Sequence, residues 1–280
     1  GGSAFASFAG ADTDGRFGTS LLVGDYNGDG NDDLIVGDPE RGVGGAVFVF
    51  FGPVDEGRTV AGAADIEIRA PQAGGAGTSL TFGELTGDDR LDLIIGAPTH
   101  SSSRGAIYVA DPTVVTAGVV TLTGPAVVGF VAGDAVGTSL AGAGNLDGAD
   151  CDEVLAGAPG VDDGTLGSNI GAVYFFTCNG SGTAELRGAY RGASAGSLLG
   201  TSVVVGNIDG RMPIDFVMGA PGADGATGAT PRGGRIYISV GQPPGADRTF
   251  DRQRRRDRAG QHRRRRRRRT RRHLRGSTVV

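Results

Sequence analysis

The sequence predicts an all-β protein, a β-propeller of radially arranged four-stranded sheets in an incomplete array of about four blades. Three observations carry this reading. One segment recurs four times, each copy repeats the same series of short strands, and helical periodicity is missing throughout. The copies run from Phe17-Gly18-Thr19-Ser20 to Gly37-Asp38-Pro39 and from Ala76-Gly77-Thr78-Ser79 to Gly96-Ala97-Pro98. Two more run from Val136-Gly137-Thr138-Ser139 to Gly157-Ala158-Pro159 and from Leu199-Gly200-Thr201-Ser202 to Gly219-Ala220-Pro221. Gly24, Gly83, Gly144 and Gly206, which precede the central loop of each copy, are 59, 61 and 62 residues apart. Units this small cannot bury an apolar face alone and must stack on one another.

Each element follows from short apolar runs bounded by Gly, Pro and Asp. In the first copy, strands are expected at Thr19–Val23, Leu34–Val36, Ala46–Phe51 and Ile66–Arg69. The second strand recurs at Leu93–Ile95, Val154–Ala156 and Phe216–Met218, and the third at Ala106–Val109, Ala172–Phe176 and Arg235–Ile238. Phe48, Tyr108, Tyr174 and Tyr237 share one position of the third strand, which is read as packing between neighbouring sheets. Ala4–Phe8 aligns with the closing strands Ile66–Arg69 and Val119–Leu122, as the end of an earlier blade would. The repeats are therefore set at about 9–69, 70–125, 126–190 and 191–250, followed by a tail at 251–280. The 53 glycines fall at corresponding places in the copies, which argues for tight turns and against a flexible linker.

The phrase Phe17-Gly18 … Gly37-Asp38-Pro39 around a DxNxDGxxD loop resembles the FG-GAP repeat of integrin α-subunit propellers and their bacterial relatives. The resemblance covers about residues 1–250. It implies a seven-bladed ring, a secreted or cell-surface location and Ca²⁺ sites in the blade loops. Four visible copies depart from that blade count, so the array is expected to be a fragment or incomplete.

The first loop runs from Asp25 to Asp33. Asp25, Asn27, Asp29 and Asp33 put side-chain oxygens at positions one, three, five and nine, and the Asn31 carbonyl can supply position seven. Gly28 and Gly30 permit the tight turn that lets alternate residues converge, and Ca²⁺ takes about six to eight such oxygens. An EF-hand would need a carboxylate at position twelve, where Val36 stands inside a strand. The competing reading is a solvated Asp/Gly turn. The second loop offers Glu84, Thr86, Asp88, Asp92 and the Arg90 carbonyl, with Asp89 in place of the turn glycine. The third keeps Asn145, Asp147 and Glu153 but has Ala149 at position five. The fourth keeps Asn207, Asp209 and Asp215 but has Arg211 there, with its guanidinium expected to pair with Asp209 and Asp215 in place of an ion.

Charge divides the chain. The 27 basic residues are all arginine, and 15 of them lie in 251–280 beside two acids; residues 1–250 hold 12 against 29 acids. The run Arg263–Arg269 reads either as a nucleic-acid arm or as the product of a frameshift near residue 250, with the tail disordered. Asp-Gly codons of a GC-rich gene, read two bases out of frame, become Arg-Arg. Loop spacing places a fifth loop start at 270–274, beside that run. No nucleic-acid partner is expected unless the tail is native. No apolar run reaches the ~18 residues of a membrane helix.

Cys151 and Cys178 flank the expected strands 153–156 and 172–176, so a hairpin would bring them together. They are either a disulfide, which would mean an oxidising compartment, or two free thiols. Gly192-Ala193-Ser194-Ala195-Gly196 matches the hydrolase pattern GxSxG, but it lacks the strand–helix context of a nucleophile elbow and is read as chance. Asn179-Gly180-Ser181 is a glycosylation sequon. No acid–base or nucleophilic machinery is legible, so the chain is not expected to be an enzyme. The function expected is an extracellular calcium-binding propeller that binds a protein or glycan ligand. The alternatives are the non-catalytic propeller of a secreted hydrolase and, more weakly, nucleic-acid binding through the tail.

Overall fold

The computed structural model describes residues 7–54, 64–146, 148, 151–178, 184–225 and 231–241, with the backbone of 248–249. The chain divides into two compact units, Gly1–Arg248 and Thr249–Val280. The arginine run, the sequon, and Asp147 and Ala149 lie outside the described residues.

The first sheet is built from β1 (Ser20–Gly24), β2 (Asp33–Asp38), β3 (Ala46–Phe50) and β4 (Ile66–Arg69), paired in chain order and antiparallel. The second uses β5 (Ser79–Gly83), β6 (Asp92–Ala97) and β7 (Ala106–Ala110). Between β6 and β7 lies one helical turn, α1 (His100–Ser103), whose Ser101 and Ser102 have φ of 51° and 59°. Next in the chain come β8 (Gly118–Thr121) and β9 (Val127–Val128). The third sheet comprises β10 (Ser139–Gly144), β11 (Glu153–Ala158), β12 (Ala172–Cys178) and β13 (Ala184–Arg191). The fourth comprises β14 (Ser202–Gly206), β15 (Asp215–Ala220) and β16 (Arg235–Ser239). The short β17 (Arg248–Thr249) stands last in the order of the third sheet.

The inner strands β1, β5, β10 and β14 touch in series, so the sheets succeed one another around a common axis. This is an incomplete β-propeller. Its apolar core lies in the seams between sheets. Ile35, Val47, Ile66 and Ile68 of the first sheet pack with Leu93, Ile95 and Tyr108 of the second. Ile94 and Ile107 of the second pack with Val154, Tyr174 and Phe176 of the third. Phe175 and Phe216 stack edge-on across the third seam, centroids 4.9 Å apart. Of the four repeated aromatics, Tyr108 and Tyr174 are buried between neighbouring sheets, Phe48 is buried against Phe8, Phe17 and Phe50 at the outer face of the first sheet, and Tyr237 is only partly buried.

The sheets differ from uniform four-stranded blades. Among the described residues they contain five, four, five and three strands in chain order of the repeats. The expected closing strand of the second repeat, Val119–Leu122, instead joins the first sheet: β8 runs parallel to β4, from Ile66↔Gly118 to Arg69↔Thr121. β9 takes the closing place beside β7. The cause is apolar burial, since Val120 and Leu122 pack onto the core of the first seam. Of the segment Ala4–Phe8, only Ser7 and Phe8 are described, and the Phe8 ring packs 4.6 Å from that of Phe50.

The repeated motif residues are the fastening between sheets. Ser20, Ser79 and Ser139 donate their hydroxyls to the carbonyls of Gly77, Gly137 and Gly200, each in the next repeat, at 2.7, 2.8 and 2.8 Å. A Cβ on Gly37, Gly96 or Gly157 would overlap those same carbonyl oxygens. The glycine before Asp-Pro or Ala-Pro is therefore required by the approach of the following sheet.

Candidate metal centre

The β1–β2 register, from Ser20↔Gly37 to Gly24↔Asp33, puts the fastening at one end of the hairpin and the acidic loop at the other. The hairpins β5–β6 and β14–β15 have the same register, and β10–β11 keeps it as far as Gly142↔Val154 before a bulge shifts it to Gly144↔Glu153, so all four loops stand at one end of the sheets.

In the first loop, Asp33 is fully buried and clamps the turn. Its Oδ2 accepts from Tyr26 N at 2.9 Å and Asn27 N at 3.3 Å, and its Oδ1 accepts from Gly52 N at 2.9 Å. Asp25 accepts from Gly28, Asp29 and Gly30 N–H groups at 2.7, 3.0 and 2.8 Å. Asp29 Oδ1 accepts from Asn31 N and Nδ2 at 2.8 and 2.9 Å, and its Oδ2 accepts from Asn27 Nδ2 at 3.0 Å. The Asn31 backbone N–H, then Asn27 and Asn31 side chains, hold the Asp29 carboxyl below its ordinary value. Gly28 and Gly30 adopt φ of 77° and 89°, the left-handed turns that fold alternate residues inward.

The second loop repeats this frame with a poorer balance of charge. Asp92 is fully buried and accepts from Leu85 N at 2.8 Å and Thr86 N at 3.0 Å. Thr86 Oγ1 also donates to Asp92 Oδ1 at 3.3 Å. Glu84 Oε1 accepts from Gly87 N and from Asp88 N, the latter at 3.3 Å. Asp88 Oδ1 accepts from Arg90 N at 3.0 Å. Glu84 Oε2 is buried without a hydrogen-bond partner. Burial first, and the negative charges of Asp111 and Glu84, push the Asp92 carboxyl up to about 6 against the lowering effect of Leu85 N–H and Thr86. Asp89 takes the turn with φ of 63°, where the first loop has Gly30.

Two acids outside the expected ligand sets act here. Asp152 of the third repeat accepts from Glu84 N at 3.0 Å and returns its own N–H to the Glu84 carbonyl at 2.8 Å. Asp111 adds negative charge near Asp92 and Tyr26. Asp111 stands outside the repeated motif, with the Asp111-Pro112 step after β7 as its local cue, whereas Asp152 stands at position eight of the third loop, where the first loop has Asp32.

The ninth-position acid closes every loop. Glu153 accepts from Leu146 N at 2.7 Å, and Asp215 accepts from Ile208 N at 2.8 Å and Asp209 N at 3.1 Å. In the fourth loop the expected guanidinium pairing is absent from the described ion pairs. Arg211 meets Asp209 through its backbone N–H at 2.9 Å, while Asp215 Oδ1 is buried without a partner. In the third, Asn145 accepts from Gly148 N at 2.7 Å.

Among the described residues, no three Asp, Glu, His or Cys side chains converge closely enough to hold a metal ion. The carboxylates are turned onto the N–H groups of their own loops. The donor chemistry nonetheless fits a hard divalent cation. Both expected sets are purely oxygen, and the second carries a buried carboxylate oxygen that nothing satisfies.

Cys151 and Cys178 form a disulfide with Cα atoms 5.8 Å apart, and no free cysteine remains. Gly192–Gly196 lies in the loop between β13 and β14 with no helix after it, as a chance match should. No helix among the described residues is long and apolar enough to cross a membrane.

Residues 17–50 and 76–110, which hold β1–β3 and β5–β7, match the FG-GAP repeat; the β14–β15 hairpin shares their register, and β10–β11 shares it up to the bulge after Gly142. Among curated proteins, the chain is similar to integrin alpha-7 of Homo sapiens, 32% identical over 149 residues, which is 51% of this chain and 12% of that protein. It is also similar to phosphatidylinositol-glycan-specific phospholipase D of Homo sapiens, 37% identical over 89 residues, 30% of this chain and 10% of that protein. The chain thus spans about a tenth of the length of each of these relatives.

Proposed function

We propose that this chain is a calcium-stabilised, extracellular propeller array that serves as a protein- or glycan-binding, adhesion-like module. The observation that carries the calcium part is the second loop, where Glu84 and Asp92 are both buried, Glu84 Oε2 is unsatisfied and Asp92 resists ionisation. Two carboxylates so placed call for a positive charge, and Arg90 meets Asp88 through its backbone N–H. In this reading Glu84, Thr86, Asp88, Asp92 and the Arg90 carbonyl hold one Ca²⁺. Asp25, Asn27, Asp29, Asp33 and the Asn31 carbonyl hold another. The ions would lock the loops at one end of the sheets, where a ligand could be met by a rigid surface. The disulfide supports an oxidising, extracytoplasmic setting. The likeness to integrin alpha-7 supports an adhesion-like role.

The test is binding of the purified chain to a glycan array and to a panel of secreted-protein ectodomains, in calcium and in chelator. Binding that requires calcium and is lost in Asp29→Ala supports the reading. Binding indifferent to calcium would sink it.

A second reading is favoured by the phospholipase D match: the array is the non-catalytic propeller part of a secreted hydrolase. In neither reading does this chain carry catalytic residues. Sequencing the flanking gene decides between them, since an adjoining in-frame catalytic domain would select the hydrolase.

A further inference from the structure

The second and third sheets are tied together beside the acidic loops. Gly142 N donates to Thr81 Oγ1 at 2.8 Å, and a Cβ on Gly142 would overlap the Phe82 carbonyl oxygen. Further along, Asp152 holds both backbone groups of Glu84. Its Oδ2 accepts the Glu84 N–H at 3.0 Å, and its own N–H donates to the Glu84 carbonyl at 2.8 Å. Glu84 opens the second loop directly after β5, with Oε1 on the N–H groups of Gly87 and Asp88 and Oε2 buried and unsatisfied. Fixing the main chain on both sides of its Cα sets where that carboxylate can point. Position eight of the four loops holds Asp32, Leu91, Asp152 and Ile214. Leu91 has no acceptor with which to reach back to Asp25. The first loop holds itself instead, since Asp25 takes three N–H groups of its own turn. The second loop turns on Asp89 at a left-handed φ, where the first has Gly30, so support from outside counts for more. Asp152 is itself anchored. Cys151 before it is buried and bonded to Cys178 at the end of β12, and Glu153 after it opens β11. Cys151 stands at position seven, where Asn31 and Arg90 offer their carbonyls in the first two loops. The third loop, with Ala149 at position five, lacks their full oxygen set and carries a covalent bond at that place.

We propose that the third loop is a positioning element for the second calcium site: the Cys151–Cys178 disulfide holds Asp152, and Asp152 holds Glu84 in the geometry that receives the ion. Asp152 acts on Glu84 and is not itself a ligand. The inference rests on the calcium reading of the second loop. It adds to that reading a residue from another repeat and a reason for the place of the disulfide. Groups that orient a metal ligand without touching the metal change affinity by about 10–100-fold when removed.

The test is titration calorimetry of calcium into the full, oxidised, chelator-stripped chain, comparing wild type with Asp152→Ala and Asp152→Asn. Wild type is expected to bind two ions. Asp152→Ala should weaken one of the two sites by about tenfold or more and leave the other unchanged. Asp152→Asn should bind as wild type does, because its amide oxygen still accepts the Glu84 N–H. In Glu84→Gln, which keeps only the first site, adding Asp152→Ala should change nothing, and this assigns the loss to the second loop. Cys151→Ala/Cys178→Ala, read at a temperature where circular dichroism shows it folded, should weaken the same site. In chelator, hydrogen exchange of the Glu84 amide should be slow in wild type and Asp152→Asn and faster in Asp152→Ala, which reads the tie without metal. Two ions bound by Asp152→Ala with wild-type affinities would overturn the inference and leave the calcium reading standing. So would equal losses in Asp152→Asn and Asp152→Ala, which would make the charge of Asp152 the operative feature. A loss shared by both sites would mean general loosening of the fold, and wild-type affinity in the cysteine-free variant would remove the part of the disulfide. A wild type that binds no calcium would overturn the calcium reading and this inference with it.

Discussion

Asp89 stands at a left-handed φ of 63° in a turn where the first loop uses Gly30. Asp tolerates that region better than most residues but still less well than glycine. Asp89→Gly should therefore stabilise the protein by about 0.5–1 kcal/mol in chelator, read by urea unfolding. Asp92 gives a second prediction at this scale. Its folded carboxyl sits at about 6, above the ordinary carboxylate value of about 4. Between these values the folded chain keeps a proton that the unfolded chain has lost. Stability in chelator should thus fall as pH rises from about 4 to 6. The fall should disappear in calcium, which balances Glu84, Asp92 and Asp111 together, and should shrink in Asp92→Asn. Thermal melts across this range, with and without calcium, check both. The oxygen-bearing side chains of both loops were legible from residue spacing. What spacing hid was the prior claim of backbone N–H groups on those carboxylates, and the arrival of Asp111 and Asp152 from elsewhere in the chain.

The seams dominate at the scale of elements. Gly157→Ala should cost about 3 kcal/mol or more, because its Cβ would enter the Gly200 carbonyl of a backbone that has little room to move. Gly219→Ala should cost clearly less, since the three atoms nearest its Cβ all belong to Ser202 and no carbonyl of a following sheet is among them. Equal losses on denaturant unfolding would mean that the hairpin itself, and not the next sheet, requires the glycine. The Cys151–Cys178 bridge closes a loop across a sequence separation of 27 residues. Its reduction should lower stability by about 3–4 kcal/mol in the chain-entropy model, measured by unfolding with and without reductant. Most strands were readable because they are short apolar runs between turn residues. The placement of β8 was not, because parallel pairing with β4 depends on a partner some fifty residues away and on the seam core that Val120 and Leu122 join.

Within the unit Gly1–Arg248, the sheets succeed one another in the order set by the repeat, and their acidic loops gather at one end. The sequence period alone was enough to predict this, since no single unit can bury its own face. The charge split was equally visible, yet the arginine-rich 251–280 has no counterpart in the repeat pattern to give it a role. We propose that the first two acidic loops are calcium sites that stabilise the array. Titration calorimetry of calcium into the chelator-stripped chain tests it most directly, with wild type, Asp29→Ala and Glu84→Gln in parallel. The calcium reading predicts two ions per chain for wild type and one for each variant, with a matching rise in Tm for each ion bound. No calcium binding by the wild type, or equal binding by all three proteins, would contradict it.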